Sequence, residues 1–172
     1  TRRGSQFTLG LKITPPYSVI KGTTDAQYAQ MTTSEKYNLL EYHKWKFTGK
    51  VFTPLSADSK LVLMARAEFG YLGHYNKNAK SPFESFYMGG DGMSSYSSYS
   101  TEYVAMRGYQ SGSLTPYDAA TGRNMGYVFN KFTMELRYPI ALEQNATIWA
   151  LAFVEAGNCF ADIKDYNPFN LK

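Results

Sequence analysis

Wherever hydrophobic and polar residues alternate in this chain, the charged side chains all fall on one side of the alternation. Over 43–53, Trp45, Phe47 and Val51 stand against Lys44, Lys46, Thr48 and Lys50. Over 61–73, Leu61, Leu63, Ala65, Ala67, Phe69 and Tyr71 stand against Arg66 and Glu68. Around 125–138, Phe132, Met134, Leu136 and Tyr138 oppose Lys131, Thr133, Glu135 and Arg137. The same period runs through 6–14, where Phe7, Leu9, Leu11 and Ile13 oppose Lys12, and through 146–158, where Ile148, Ala150, Ala152, Val154 and Ala156 oppose Glu155. Successive side chains of a β-strand point to opposite faces, so a period of two with one-sided charge describes strands with one apolar and one polar face.

A soluble antiparallel barrel or sandwich alternates in the same way, and two features select a membrane instead. Segments of about 9–11 residues fit a tilted bilayer crossing, whereas strands of soluble proteins usually run to 5 or 6. The connections alternate in length: 15–42 long, 54–60 short, 74–124 long, 139–145 short, then a further segment from 159. Outer-membrane barrels show this asymmetry, with short periplasmic turns and long extracellular loops. Pro54 and Pro139 are expected to end the hydrogen-bonded ladder at the two short turns. Composition agrees, since 15 Tyr, 11 Phe and 2 Trp coexist with a mean hydropathy of only −0.39. The longest apolar run, 148–154, is far short of the roughly 20 residues that a transmembrane helix needs.

The expected fold class is therefore all-β, an antiparallel transmembrane β-barrel. Five strands cannot close such a barrel, because open edges in lipid leave amides unpaired at several kcal/mol each. The chain starts at Thr1 and ends within a loop at Lys172, so residues 1–172 are expected to be part of one larger barrel domain, with no complete separate domain.

Other function classes find little support. The net charge of +4 comes from dispersed residues, with only pairs such as Arg2-Arg3, so no nucleic-acid partner is expected. A single Cys159 excludes an intramolecular disulfide and a Cys-rich metal site. His43 and His74 share no pattern with carboxylates that would bind a metal. No signature joins either histidine to a nucleophilic serine, so neither catalysis nor a cofactor is expected. Gly89-Gly90-Asp91-Gly92 precedes no helical pattern and lacks the lysine of a phosphate loop, which makes it a turn. The Ser/Tyr stretch 94–100 is of low complexity and expected to be exposed. Thr32-x-x-Glu35 has the form of a capping box before Tyr37, Leu39 and Leu40, fitting a short surface helix or an extension of a strand.

The loop 74–124 carries the most specific signals. Phe86-Tyr87-Met88-Gly89-Gly90 is followed by Met106-Arg107-Gly108-Tyr109. This pair resembles the BamA family of β-barrel assembly factors, whose sixth extracellular loop carries an F-x-x-G-G segment and then a V-R-G-F-type motif. Met here replaces Val, and Tyr replaces Phe. The spacing between the motifs, lengthened by 93–103, resembles the Bacteroidetes-type version. Thr14-Pro15-Pro16-Tyr17, Tyr42-His43-Lys44-Trp45 and the segment Phe153-Val154-Glu155-Ala156-Gly157-Asn158 extend the resemblance over essentially the whole chain.

The resemblance implies the ninth to thirteenth strands of a sixteen-stranded barrel in the bacterial outer membrane. It further implies a machine that folds and inserts outer-membrane proteins, with unfolded clients, accessory lipoproteins and the lipid bilayer as partners. Arg107 would fold back into the lumen and meet Glu135 and Glu155 on the following strands, since a guanidinium forms forked, charge-assisted bonds with carboxylates. Gly108 would give backbone freedom beside it, and Tyr109 would pack beneath the loop.

Three functions share these strands: an assembly factor, a secretion translocator or passive pore of the same superfamily, and a soluble binding barrel. Seven basic residues against three acidic ones on the inward parity do not separate them. The number of periplasmic repeat domains before Thr1 and the need for detergent would.

Overall fold

The computed structural model of the chain describes all residues except 1, 37, 39, 77, 79, 94–100, 120–121 and 143–146. In chain order, β1 (Gly4–Ile13), β2 (His43–Pro54) and β3 (Val62–Gly73) come first. Four short strands follow, β4 (Phe86–Met88), β5 (Glu102–Val104), β6 (Tyr117–Asp118) and β7 (Arg123–Asn124), and then the long β8 (Val128–Leu142) and β9 (Thr147–Phe160). The long strands form one sheet in the order β1-β2-β3-β8-β9, antiparallel throughout. This is a wall segment of an all-β barrel.

Register places the charges as their parity requires. Lys12 lies across from Lys44, Lys50 from Arg66, Glu68 from Lys131, and Thr133 from Glu155. All of these lie on the inner face, the one the long loop covers. The outer face leaves Phe7, Leu9, Phe47, Met134, Leu136 and Val154 exposed. A contiguous apolar band of this kind is what the outer face of a membrane-spanning barrel presents. Phe69 also points outward, but its ring packs edge-on against Tyr166 at 5.5 Å between centroids.

Two strand boundaries differ by more than two residues from the sequence expectation, both on the fourth long strand. The fourth long strand begins at Val128, not near Met125, because Gly126 exchanges both backbone bonds with Phe86 of the loop (2.8 and 3.0 Å). The same strand runs on through Pro139 to Leu142, so Pro139 does not end the ladder. Pro139 pairs with Trp149, the register then slips to Ala141–Ile148, and the missing proline N–H is absorbed at this bulge. Pro54 does sit in the last pair of its ladder, opposite Val62.

The first long connection holds three short helices, α1 (Tyr17–Ile20), α2 (Asp25–Gln30) and α3 (Thr33–Lys36). Thr32 and Glu35 form the reciprocal bonds of a capping box, and so, unforeseen, do Thr24 and Gln27. Tyr37 and Leu39, which the helix reading invoked, lie outside the described residues, as does 94–100.

The apolar core lies between the wall and the loop. Leu72, Phe129 and Cys159 on the wall pack with Phe86, Met88, Val104, Met106, Met125 and Tyr127 on the loop. A side chain on inward Gly70 would strike the rings of Phe86 and Phe129, which stack edge-on at 4.7 Å. The glycine therefore lets the loop reach the wall.

Candidate functional site

The two loop motifs, far apart in sequence, are hydrogen-bonded to each other. β4 and β5 pair in parallel, Phe86 with Glu102 and Met88 with Val104. Beyond them the Gly89 N–H donates to Val104 O (3.0 Å), the Met106 N–H to Gly90 O (2.8 Å), and the Gly90 N–H to Tyr109 O (3.0 Å). Gly89 (φ 127°) and Gly90 (φ 81°) hold backbone conformations that side chains disfavour, and a Cβ on Gly89 would lie 2.4 Å from Gln110 O. Phe86, Met88 and Met106 are fully buried and fasten this unit to the core. The Thr115 hydroxyl accepts the Met88 N–H at 2.7 Å.

From this unit Arg107 projects to the wall. Its Nη2 donates to Glu155 Oε1 (2.8 Å), while its Nε (3.3 Å) and backbone N–H (3.2 Å) donate to Oε2. The guanidinium also lies 3.4 Å from the ring centre of Phe153. Glu155 is the hub, its side chain only 2 % exposed, and it takes a second cation, Lys131 Nζ, at 3.0 Å. Lys131 donates in turn to Ala105 O in the loop (2.6 Å). Glu135 stands 3.8 Å from Arg107, outside hydrogen-bonding distance, and is bonded instead by Arg137. Gly108 (φ 90°) turns the chain back beside the arginine. Tyr109, expected to pack beneath the loop, is 37 % exposed, and its carbonyl accepts the Gly90 N–H.

Sequence reasoning missed several members of the site. Lys131 and Phe153 share the inward parity of Glu155, and that was the available signal. The loop acids Glu84 and Glu102 carry no motif. Glu84 pairs with Lys12 and Lys44, and Glu102 with Lys44 and Lys46. The loop thus meets Glu155 of β9 with an arginine, and lysines of β1 and β2 with carboxylates. A further pair, Lys80 and Asp162 at 2.8 Å, ties the loop to the segment after β9. Among the described residues, no group of three or more His, Cys, Asp or Glu could hold a metal ion.

Burial pushes the Glu84 and Glu102 carboxyls up, but their lysine partners outweigh it and hold both below the ordinary 4.5. Groups depressed in the folded state stabilise it above their unfolded pKa and lose that contribution as pH falls through the folded value. Docking of the loop on β1 and β2 should therefore be at full strength near neutrality and weaken on acidification below the ordinary carboxylate range. Proteolysis of the loop in detergent micelles, followed from pH 7 downward, should accelerate there, and Glu102→Gln should flatten the profile. A rate that stays constant across the acid range would contradict this.

No curated protein matches the chain at a significant level. Residues 4–171 match the family model of the Omp85 superfamily domain. With a five-stranded antiparallel wall and a long loop folded onto its charged face, the chain belongs to the Omp85 superfamily, whose outer-membrane β-barrels insert or translocate proteins.

Proposed function

We propose that this chain is the central wall and anchoring loop of a BamA-type assembly factor of the Bacteroidetes kind, acting in the bacterial outer membrane on unfolded outer-membrane proteins. It supplies the ninth to thirteenth strands of a sixteen-stranded barrel, with residues 1–172 part of one barrel domain. The loop 74–124 lies on the extracellular side, and accessory lipoproteins complete the machine. The carrying observation is the junction in which the F-x-x-G-G unit, bonded to Met106-Arg107-Gly108-Tyr109, presents Arg107 to Glu155. No covalent step is needed: the wall holds the loop in one conformation while client strands are accepted elsewhere on the barrel.

Arg107→Ala leaves Glu155 with Lys131, so the junction should lose about 1–3 kcal/mol rather than collapse. In cells whose only copy carries this change, the levels of many unrelated outer-membrane proteins should fall together. A drop confined to one secreted protein would point to a translocator of the same superfamily instead. Normal levels of all outer-membrane proteins would remove the loop junction from the mechanism.

A further inference from the structure

Lys44 stands apart from the other inward lysines. Its side chain is 1 % exposed, and its ammonium meets three acceptors: Glu84 O (2.8 Å), Glu84 Oε2 (3.0 Å) and Glu102 Oε2 (2.7 Å). An ammonium has three N–H donors, so its capacity is filled by the loop alone. It also lies 4.7 Å from the ring centre of Phe86. The residues it touches are the entrances to the two strands that pair in parallel: Glu84 lies two residues before Phe86, and Glu102 opens β5. Between them the Glu102 N–H donates to Ser85 O at 2.8 Å.

The backbone at Glu84 adds an independent observation. Its φ is 66°, a left-handed conformation that residues with a Cβ seldom adopt, and surrounding contacts must hold it. Both the carbonyl and the carboxylate of Glu84 curl onto the same ammonium, which supplies that contact. Lys12 and Lys46 reach the same two carboxylates from the rim, but both are far more exposed.

We infer that Lys44 is a positioning residue: a buried clamp that grips Glu84 and Glu102 and so sets the parallel pairing of β4 with β5 from which the Met106-Arg107-Gly108-Tyr109 segment is presented. The clamp stands on its own geometry, while its consequence for client assembly rests on the function proposed above. It lies on β2, across the wall from Glu155, so the loop is fixed from two sides by opposite charges.

Lys44→Met tests it, because methionine keeps an unbranched apolar stem against Phe86 and removes only the charge. The full-length protein would be examined in intact cells, with added proteinase K nicking the loop and gel heat-modifiability reporting the folded barrel. Lys44→Met should raise the nicking rate about tenfold or more, since two partly buried carboxylates lose their common partner. Glu102→Gln and Glu84→Gln, which leave the wall untouched, should each raise it several-fold. Lys44→Met combined with Glu102→Gln should nick more slowly than the product of the two single effects predicts, because residues of one network do not add. Nicking at the parental rate in Lys44→Met, or effects that multiply in the double variant, would overturn the clamp. If Lys44→Met yields no folded barrel, the two glutamine variants decide, and parental nicking in both overturns it. A loosened loop with undiminished client assembly supports the clamp and removes the loop from the function proposed above.

Discussion

Glu155→Ala is expected to damage the loop–wall junction more than Arg107→Ala, although the two residues form one ion pair. The asymmetry follows from burial and partner count. Arg107 is about one-third exposed, so when it is removed Glu155 still has Lys131. Glu155 serves two cations, and removing it leaves Lys131, whose side chain is only 5 % exposed, with Ala105 O as its remaining partner. Removing one partner of a buried pair costs about 3–5 kcal/mol because the remaining charge stays desolvated. The Arg107 guanidinium would keep only the Phe153 ring and a distant Glu135. Thermal denaturation of the purified barrel in detergent, read by loss of heat-modifiability, should place Glu155→Ala well below Arg107→Ala. Equal midpoints would mean that Lys131 takes no part.

The second large effect belongs to the outer face. Leu136 lies in register between Leu63 of β3 and Ala152 of β9, in an unbroken apolar row, and is exposed to whatever surrounds the barrel. An arginine there would face hydrocarbon, at a cost of about 2–4 kcal/mol near the midplane of the bilayer. Thr8→Arg provides the control, since Thr8 lies on the inner parity, opposite Thr48, where a cation meets the lumen. Refolding into lipid vesicles with urea titration should show a marked loss of stability for Leu136→Arg and little for Thr8→Arg. Comparable losses would reverse the assignment of faces.

The parity of every long strand was legible because the sheet has one apolar and one charged face, and that contrast is written along each strand on alternate residues. Glu155 was legible in the same way as an inward acid, while its pairing with Arg107 was implied by the family resemblance and not by parity. What failed to show was whatever depends on two distant segments meeting. Glu84 and Glu102 look like ordinary loop acids until β2 brings Lys44 beneath them. Met125 and Tyr127 fall on the charged parity of the following strand, yet they join the loop core where Gly126 pairs with Phe86. Pro139 reads as a stop, and only the slip from Pro139–Trp149 to Ala141–Ile148 shows how the ladder passes it. Register and loop docking are non-local, and alternation carries no record of them.

The place of the loop in the wall bears on the order in which the sheet is built. β1, β2 and β3 follow one another through shorter connections, and β8 and β9 are only a few residues apart in sequence, so each group can zip up from neighbouring sequence. The seam between β3 and β8 joins strands separated by the whole of 74–127. Closing a loose loop costs only about 0.6 kcal/mol more for each doubling of its length, but contacts distant in sequence form slowly. Pairing of β4 with β5, and of Gly90 with Met106, makes much of the described loop one compact body that spans this separation. Substitutions inside that body should therefore slow the joining of two preformed sub-sheets and leave each sub-sheet intact, so that the loop sets the pace at which its own wall is completed.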